Sequence, residues 1–448
     1  MFNNSILKIV KPIWYFSIPT KEKKSYWVDY KGIESKYLGI IDKNNFYDSK
    51  LLYSYDLAYQ LWNKGFISFE PDHKMINTKI SNISINDQYI FLRRMFNPVW
   101  IYYTIILRIL TFKVTFQDIK SFFGTINIKK VDLNDFHFKY DNYNKYKSIL
   151  INEQPLISII IPTLNRYSYL SDALRDLELQ DYVNFEVIIV DQSDPFKEYF
   201  YEQFKLNIKV IYQEDKALWK ARNTALKLSK GKYILLYDDD SRITTNWISE
   251  HLKCLDYFKA DISAGVSKST IGAPIPKHYD YFRWADQLDT GNVLLKRDVF
   301  KKCGLFDTQF EKMRMGDGEF GLRAYLNGFR SINNPFASRI HLKASSGGLR
   351  EMGSWDSFRP TNWMMPIPIP SVLYFFRKYW GRKNTILYLI QTIPISLTSY
   401  NRKERKISYI ISIFFFTVLF PLVLIQIIRS WHISGEMLKS GSKIEIFE

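Results

Sequence analysis

At 448 residues the chain is too long for one ordinary hydrophobic core and implies two or three units. With 46% hydrophobic and 24% charged residues it has a globular balance, which excludes a disordered or low-complexity chain. The formal net charge of +17 asks for an anionic partner, and with no recognition-helix pattern, zinc spacing or basic heptad that partner is a membrane surface or a phosphorylated substrate rather than nucleic acid.

In chain order, the N-terminus MFNNSILKIVKPIWYF is interrupted by Lys8 and Lys11 and lacks a small-residue cleavage site, so it does not read as a signal peptide. Residues 1–150 form an N-terminal extension, α-rich or mixed, without a catalytic signature. Its most apolar stretch, Asn97–Lys113, is interrupted by Arg108 and falls short of the roughly 20 residues a spanning helix needs, so a buried or interfacial helix is expected. The polar run 132–147 reads as a linker.

Residues 151–355 alternate strands with helices. LISIIIP (156–162), FEVIIVD (185–191), IKVIYQ (208–213) and GKYILLYDDD (231–240) are apolar runs of strand length. Between the first two, Leu170, Ala173, Leu174 and Leu177 recur at helical spacing; between the last two, LWKARNTALKLSKG reads as a helix ended by Gly231. The expectation is an α/β domain with a mostly parallel central sheet covered on both faces. Ligands of such sheets bind at the carboxyl ends of the strands, where Asp191 and Asp238–Asp240 fall.

Residues 356–448 read as a helical, membrane-associated region. From residue 361 on there are 11 Lys and Arg against 4 Glu, interleaved with apolar runs, which favours an anionic membrane surface. The run 407–428 has 22 residues without a charge and follows Arg402, Lys403, Arg405 and Lys406. That is long enough to cross a bilayer with the bases on the cytoplasmic side, while Pro421, Gln426 and two serines keep a re-entrant, buried or in-plane helix open. Cys254 and Cys303 have neither CxxC nor zinc spacing and are expected as core thiols.

Three carboxylates in a row at a strand end repel one another unless a cation offsets them. Hard divalent ions take carboxylate oxygens together with phosphate oxygens. The triplet is therefore either a solvated turn or the seat of Mg²⁺ or Mn²⁺ that binds a diphosphate.

PLISIIIPTLNR (155–166), VIIVDQSD (187–194) and KARNTALKLSKGKYILLYDDD (220–240) together resemble family 2 glycosyltransferases with a GT-A fold. The resemblance implies an inverting, metal-dependent hexosyltransferase that uses a nucleotide-diphosphate sugar. It places Pro162, Thr163, Asn165 and Arg166 along the nucleotide pocket and Asp191 at the base. Arg222 and Asn223 then lie near the nucleotide, Asp238 faces the ribose with Asp239 beside it, and Asp240 holds the metal. TGNVLLKRDVFKKCGLFDTQFEKMRMGDGEFGLRAYLNG (290–328) resembles the acceptor half of the family, including the part shared with galactosyltransferase C-terminal regions. There Asp317 is implied as the catalytic base, and Gly291, Asn292 and Glu319 as acceptor-side residues. Gly316 stands where the family usually has Glu.

An acceptor hydroxyl is a poor nucleophile, and a carboxylate within hydrogen-bond reach can take its proton as it attacks the anomeric carbon. One carboxylate acting as base, with none as nucleophile, inverts that centre. Read alone, Asp317 is equally a first-turn carboxylate favoured by the helix macrodipole. In several GT-A enzymes a His after the acceptor helix completes the metal site, which makes His341 a third ligand or a structural residue. Ser345–Gly348 is expected as a lid, and Trp284 either stacks on a sugar or fills the core. The expected setting is the cytoplasmic face of the membrane, with a glycan or lipid-linked glycan acceptor in surface polysaccharide synthesis. A catalytically impaired binding or scaffold subunit of a glycan-assembly complex stays open through Gly316.

Overall fold

The computed structural model describes residues 6–22, 39–67, 83–269, 275–286, 288–344, 359–360, 362, 364–397 and 406–448, with side chains of the last stretch from residue 410. The expected lid at Ser345–Gly348 and the bases Arg402, Lys403 and Arg405 lie outside the described residues. The chain divides into two compact units: Met1–Lys139 with Tyr281–Trp284 and Arg382–Tyr388, and Tyr140–Asp280 with Ala285–Gly381 and Leu389–Glu448.

In the first unit, α1 (Leu7–Val10), α2 (Lys50–Asn63), α3 (Ile85–Met95), α4 (Pro98–Leu110) and α5 (Phe116–Gly124) follow one another. Each of the last four starts at a side-chain cap that satisfies an otherwise orphaned N–H: Ser49, Ser84, Asn97 and Thr115, the last in a capping box with Asp118. The core is aromatic, with Trp14, Phe16 and Trp62 meeting edge to face and Tyr59 packed on Phe91. Within it the buried Asp56 accepts from Arg94 at 2.5 Å and from the Tyr47 hydroxyl at 2.6 Å, so this buried carboxylate is fully partnered. The run 132–147 carries no helix or strand, yet Tyr143 in it is buried and donates to Glu250 in the second unit's own fold.

The second unit is built on one sheet. Its strands are β1 (Ile157–Thr163), β2 (Phe185–Asp191), β3 (Ile208–Tyr212), β4 (Tyr233–Tyr237), β5 (Ser241–Ile243), β6 (Ile262–Ser269), β8 (Asn292–Lys296) and β9 (Ser331–His341); β7 (Arg283–Trp284) belongs to the first unit. Their order is β3-β2-β1-β4-β8-β6-β9-β5. The first four are mutually parallel and β6 is parallel to β9, whereas β8 runs antiparallel to β4 and β6, and β5 to β9. The sheet is thus mixed, with parallel pairs in the majority. Every residue of β1 and β4 is buried, as both faces are covered. The connecting helices are α7 (Tyr167–Glu178) after β1, α8 (Leu218–Leu228) after β3 and α9 (Trp247–Tyr257) after β5. After α6 (Ile149–Glu153), which leads into the unit, and α10 (Arg297–Cys303), which follows β8, comes α11 (Gly316–Leu326).

His251 on α9 is buried, with its ring nitrogens at 2.9 Å from Ser263 Oγ and 3.0 Å from Asn292 Oδ1. Burial lowers its pKa from 6.5 to about 4. Between those values the unfolded chain binds the extra proton. Stability is therefore whole above pH 6.5 and is lost as pH falls toward 4, by about 3 kcal/mol. His251→Gln is expected to flatten that part of the melting-temperature profile; an unchanged profile contradicts the assignment.

At the C-terminal end, α12 (Pro370–Thr392) kinks at Gly381, whose φ is +74°, and is followed by α13 (Lys406–Val418) and α14 (Phe420–Ser440). The uncharged run 407–428 is not one straight helix: α13 and α14 meet at 84°, and no single described helix is long and apolar enough to cross a membrane. Pro421, in the first turn of α14, lacks the N–H needed to continue the ladder of α13, which accounts for the break. One side of the pair packs Val423, Phe416 and Ile427 on Leu373, Leu389 and Ile393. The final residues return to the sheet domain, where Leu305 N–H donates to Glu445 O and Phe447 is buried beneath Arg297.

Candidate active site

The carboxyl ends of the parallel strands converge. Thr163 and Asp191 are register partners at the ends of β1 and β2, and Asp238–Asp240 follow β4 directly. The β1 exit turns at Asn165, whose φ of +55° is a conformation Asn tolerates better than most residues. Its N–H donates to Ser193 Oγ at 2.7 Å, and its side-chain oxygen accepts from Asp194 N–H at 2.9 Å. Asn165 therefore clamps the exits of β1 and β2 together. Asp191 is buried, with Tyr167 and Tyr201 hydroxyls donating to one carboxylate oxygen at 2.7 and 2.8 Å and Ser193 N–H to the other.

The three aspartates have three different environments. Asp239 accepts from Thr163 Oγ1 at 2.7 Å and from Arg166 at 3.2 Å; burial pushes its pKa up to about 7, with Asp240 adding to the rise against Arg166. Burial also works to raise Asp238, but Arg339 at 3.0 Å and Arg222 at 2.8 Å outweigh it and hold the group down at about 2. Asp240 is lowered too: desolvation is overcome by His341, Arg166 and Arg339. One of its oxygens lies 3.3 Å from His341 Nε2, and the other accepts from Arg166 and from Ala344 N–H. The outer two carboxylates are thus ionised, while the inner one serves the β1 exit.

Ligand atoms of Asp238, Asp240 and His341 all lie within 4.8 Å of one another. His341 reaches them because it ends β9 in register with Ser241 of β5. Two ionised carboxylates and an imidazole suit Mn²⁺ or Mg²⁺, so the residues fit the implied metal.

Sequence reasoning missed Arg339. This buried guanidinium bonds Asp238, Asp289 at 2.9 Å, Ser241 at 2.6 Å and Ser267 at 2.7 Å, and so fixes the carboxylate from behind. Gly291 makes room for that pair: a Cβ there would sit 2.1 Å from Asp238 Oδ2 and 2.4 Å from Arg339 Nη1. Gly291 is accordingly a close-approach residue beside the carboxylate.

The other expected residues divide. Pro162, Thr163, Asn165, Arg166, Asp191, Arg222, Asp238, Asp239, Asp240, Gly291 and His341 belong to this cluster of strand ends and their immediate partners. Asn223 instead exchanges two 2.9 Å bonds with the Phe306 backbone, joining α8 to the loop after α10. Asn292, the first residue of β8, is buried and bonded to Trp247, His251, Val266 and Ala337. Glu319 is buried too and held below its usual pKa: desolvation is outweighed by Arg323 and Lys378, with the Tyr379 hydroxyl at 2.6 Å. Trp284 is buried within the first unit.

Asp317 is half-buried in the first turn of α11, where its Oδ1 accepts from Gly318 N–H at 2.8 Å. The helix is entered through Met315 at φ +76°, a left-handed conformation a Met adopts only under constraint. That constraint is visible in Gly316, where a Cβ would lie 2.4 Å from Trp219 Cζ2. Trp219 in turn bonds Phe310 O through Nε1 at 3.0 Å and lies under Arg222, which grips Asp238. The contacts Gly316–Trp219–Arg222–Asp238 tie the first turn of α11 to the aspartate triplet. The space a side chain at 316 would take is filled by the Trp219 indole.

Residues 158–315 match the Glycosyl transferase family 2 model. Similar proteins include the glycosyltransferase GlyA of Streptococcus pneumoniae, 30% identical over 189 residues, 38% of this chain and 27% of GlyA. Poly(ribitol-phosphate) beta-N-acetylglucosaminyltransferase TarS of Staphylococcus aureus is 30% identical over 189 residues, 39% of this chain and 33% of TarS. Chondroitin synthase of Escherichia coli is 25% identical over 297 residues, 55% of this chain and 42% of that protein. The chain spans less than half the length of each of these relatives.

Proposed function

Because the chain carries a family 2 glycosyltransferase domain, we propose that it moves a sugar from a nucleoside-diphosphate sugar to an acceptor hydroxyl in a single inverting displacement. The observation that carries this reading is the convergence of Asp238, Asp240 and His341 at the end of β4. These three residues would hold a divalent ion, which would supply the positive charge that favours a diphosphate leaving group. Arg222 and Arg339 keep Asp238 ionised and aimed, and Arg166 with Ala344 N–H does the same for Asp240. Thr163, Asn165 and Asp191 form the wall that receives the nucleoside. Asp317 takes the proton of the attacking hydroxyl, so that the oxygen–carbon bond forms as the bond to the diphosphate breaks. The acceptor is a glycan, lipid-linked and at the cytoplasmic face of a membrane, with the basic and apolar C-terminal region associated with that surface. Relatives named for poly(ribitol-phosphate) and chondroitin support a polymer acceptor of this class.

The metal site is tested by calorimetric titration of Mn²⁺ and nucleotide sugars. Asp240→Ala is expected to weaken Mn²⁺-dependent donor binding by at least the roughly 10–100-fold that loss of a ligand's outer-shell partner alone costs. Donor binding unaltered in that variant sinks the assignment.

A further inference from the structure

The first unit presents an apolar surface of a kind that water-facing helices lack. On α4, Val99, Tyr102, Ile106, Ile109 and Leu110 are exposed, and at roughly 100° per residue they fall within an arc of about 100°. Ile101 and Thr104, on the opposite side, are buried. On α5, Phe116, Ile119 and Phe123 form one exposed stripe opposite the buried Asp118 and Ser121. Phe112, in the turn between the helices, is 96% exposed and Phe116 81%. Tyr102 meets Phe122 edge to face, which joins the two helices.

The polar bonds of this hairpin lie on its inner side. Arg108 pairs with Asp118 at 2.8 Å, and Arg93 of α3 donates to Phe122 O at 2.8 Å and to Thr125 Oγ1 at 3.0 Å. Polar inside and apolar outside reverses the pattern of a soluble surface helix. The charges point the same way. Residues 97–130 contain five bases and one acid, and that acid, Asp118, is buried and paired. The exposed charge of the segment is therefore all positive: Lys113, Lys120, Lys129 and Lys130. A second copy would bring a like-charged surface to it, since the chain carries +17. A layer of anionic lipid matches both the bases and the apolar stripe. At 13 residues α4 is about 20 Å long, short of the roughly 30 Å hydrocarbon core, so it would lie in the interface and not across it.

We infer that the α4–α5 hairpin docks the protein in the interface of an anionic lipid bilayer, with Phe112 and Phe116 at the acyl boundary and the lysines at the phosphate layer. This site is separate from α13–α14 and independent of the catalytic reading.

The test sediments the full chain with phosphatidylcholine vesicles that contain or lack phosphatidylglycerol. Binding is expected to require phosphatidylglycerol. Phe112→Ser and Phe116→Ser should each lower it roughly tenfold, with the melting transition unchanged because both side chains are exposed. Since α13–α14 has exposed apolar residues of its own, a local reading is needed. Cys254 and Cys303 are buried, so Phe112→Cys adds an accessible thiol for an environment-sensitive dye. Phosphatidylglycerol vesicles should brighten and blue-shift a dye at 112, and leave one at Lys209→Cys, exposed on β3, unchanged. An unaltered dye at 112 overturns the inference. So does a dimer in vesicle-free solution that Phe112→Ser converts to monomer while vesicle binding persists.

Discussion

Asp317→Asn is expected to lower glycosyl transfer by roughly 10²–10⁴-fold, the range a positioned general base contributes, while leaving nucleotide-sugar affinity intact. The amide keeps the size of the side chain and an oxygen able to accept from Gly318 N–H, a 2.8 Å bond within the first turn of α11. Loss of the first-turn negative charge costs the helix about 0.3–1 kcal/mol. A purely structural Asp317 would therefore show a small change in melting temperature and a comparably small change in rate. A large fall in rate with little change in melting identifies the base. Turnover that survives unchanged removes Asp317 from the chemistry.

The second large effect is on stability, at Gly316, where the sequence resemblance leads one to expect Glu. Gly316→Glu is expected to destabilise the protein by about 1–3 kcal/mol or more, because the space is already filled. The obstruction is a fixed ring and not the end of a flexible side chain: Trp219 is held through Nε1 on Phe310 O and packs on Phe306 at 5.2 Å. Gly316→Ala should show part of the same loss, since the Cβ itself meets the indole. In a Trp219→Ala background the added cost of Gly316→Glu should shrink, the non-additivity expected of side chains in contact. A Gly316→Glu protein that melts with the parent would contradict the packing. The space beside the first turn of α11 is thus taken by the Trp219 indole.

Much of the site was legible because parallel strands buried on both faces read as unbroken apolar runs. Ile157–Thr163, Phe185–Asp191, Ile208–Tyr212 and Tyr233–Tyr237 fall within three residues of the segments the sequence picks out, and α7 carries Leu170, Ala173, Leu174 and Leu177 on its buried side. The aspartates follow from those strand ends. Arg339 was not legible: it is one base in the irregular run SINNPFASRIH, and its position depends on the bulged pairing of β9 with β6 and the antiparallel pairing with β5. No local pattern encodes that register. Asn292 and Glu319 match motif positions, but only the packing reveals that both are buried in bonds to the fold. The length and composition of 407–428 suggested a span, and the geometric consequence of Pro421 took the three-dimensional structure to see. In the first unit the apolar stretch Asn97–Lys113 was plain, but its composition does not say which of its residues face core and which face solvent.

The most direct measurement of the central claim is release of nucleoside diphosphate from a panel of nucleotide sugars, with Mn²⁺, after chelation, and after Mn²⁺ is restored. Release is expected from at least one donor, lost on chelation, recovered with the metal, and absent in Asp240→Ala. Release that persists through chelation and through Asp240→Ala, or a full panel that neither binds nor turns over, would contradict the claim.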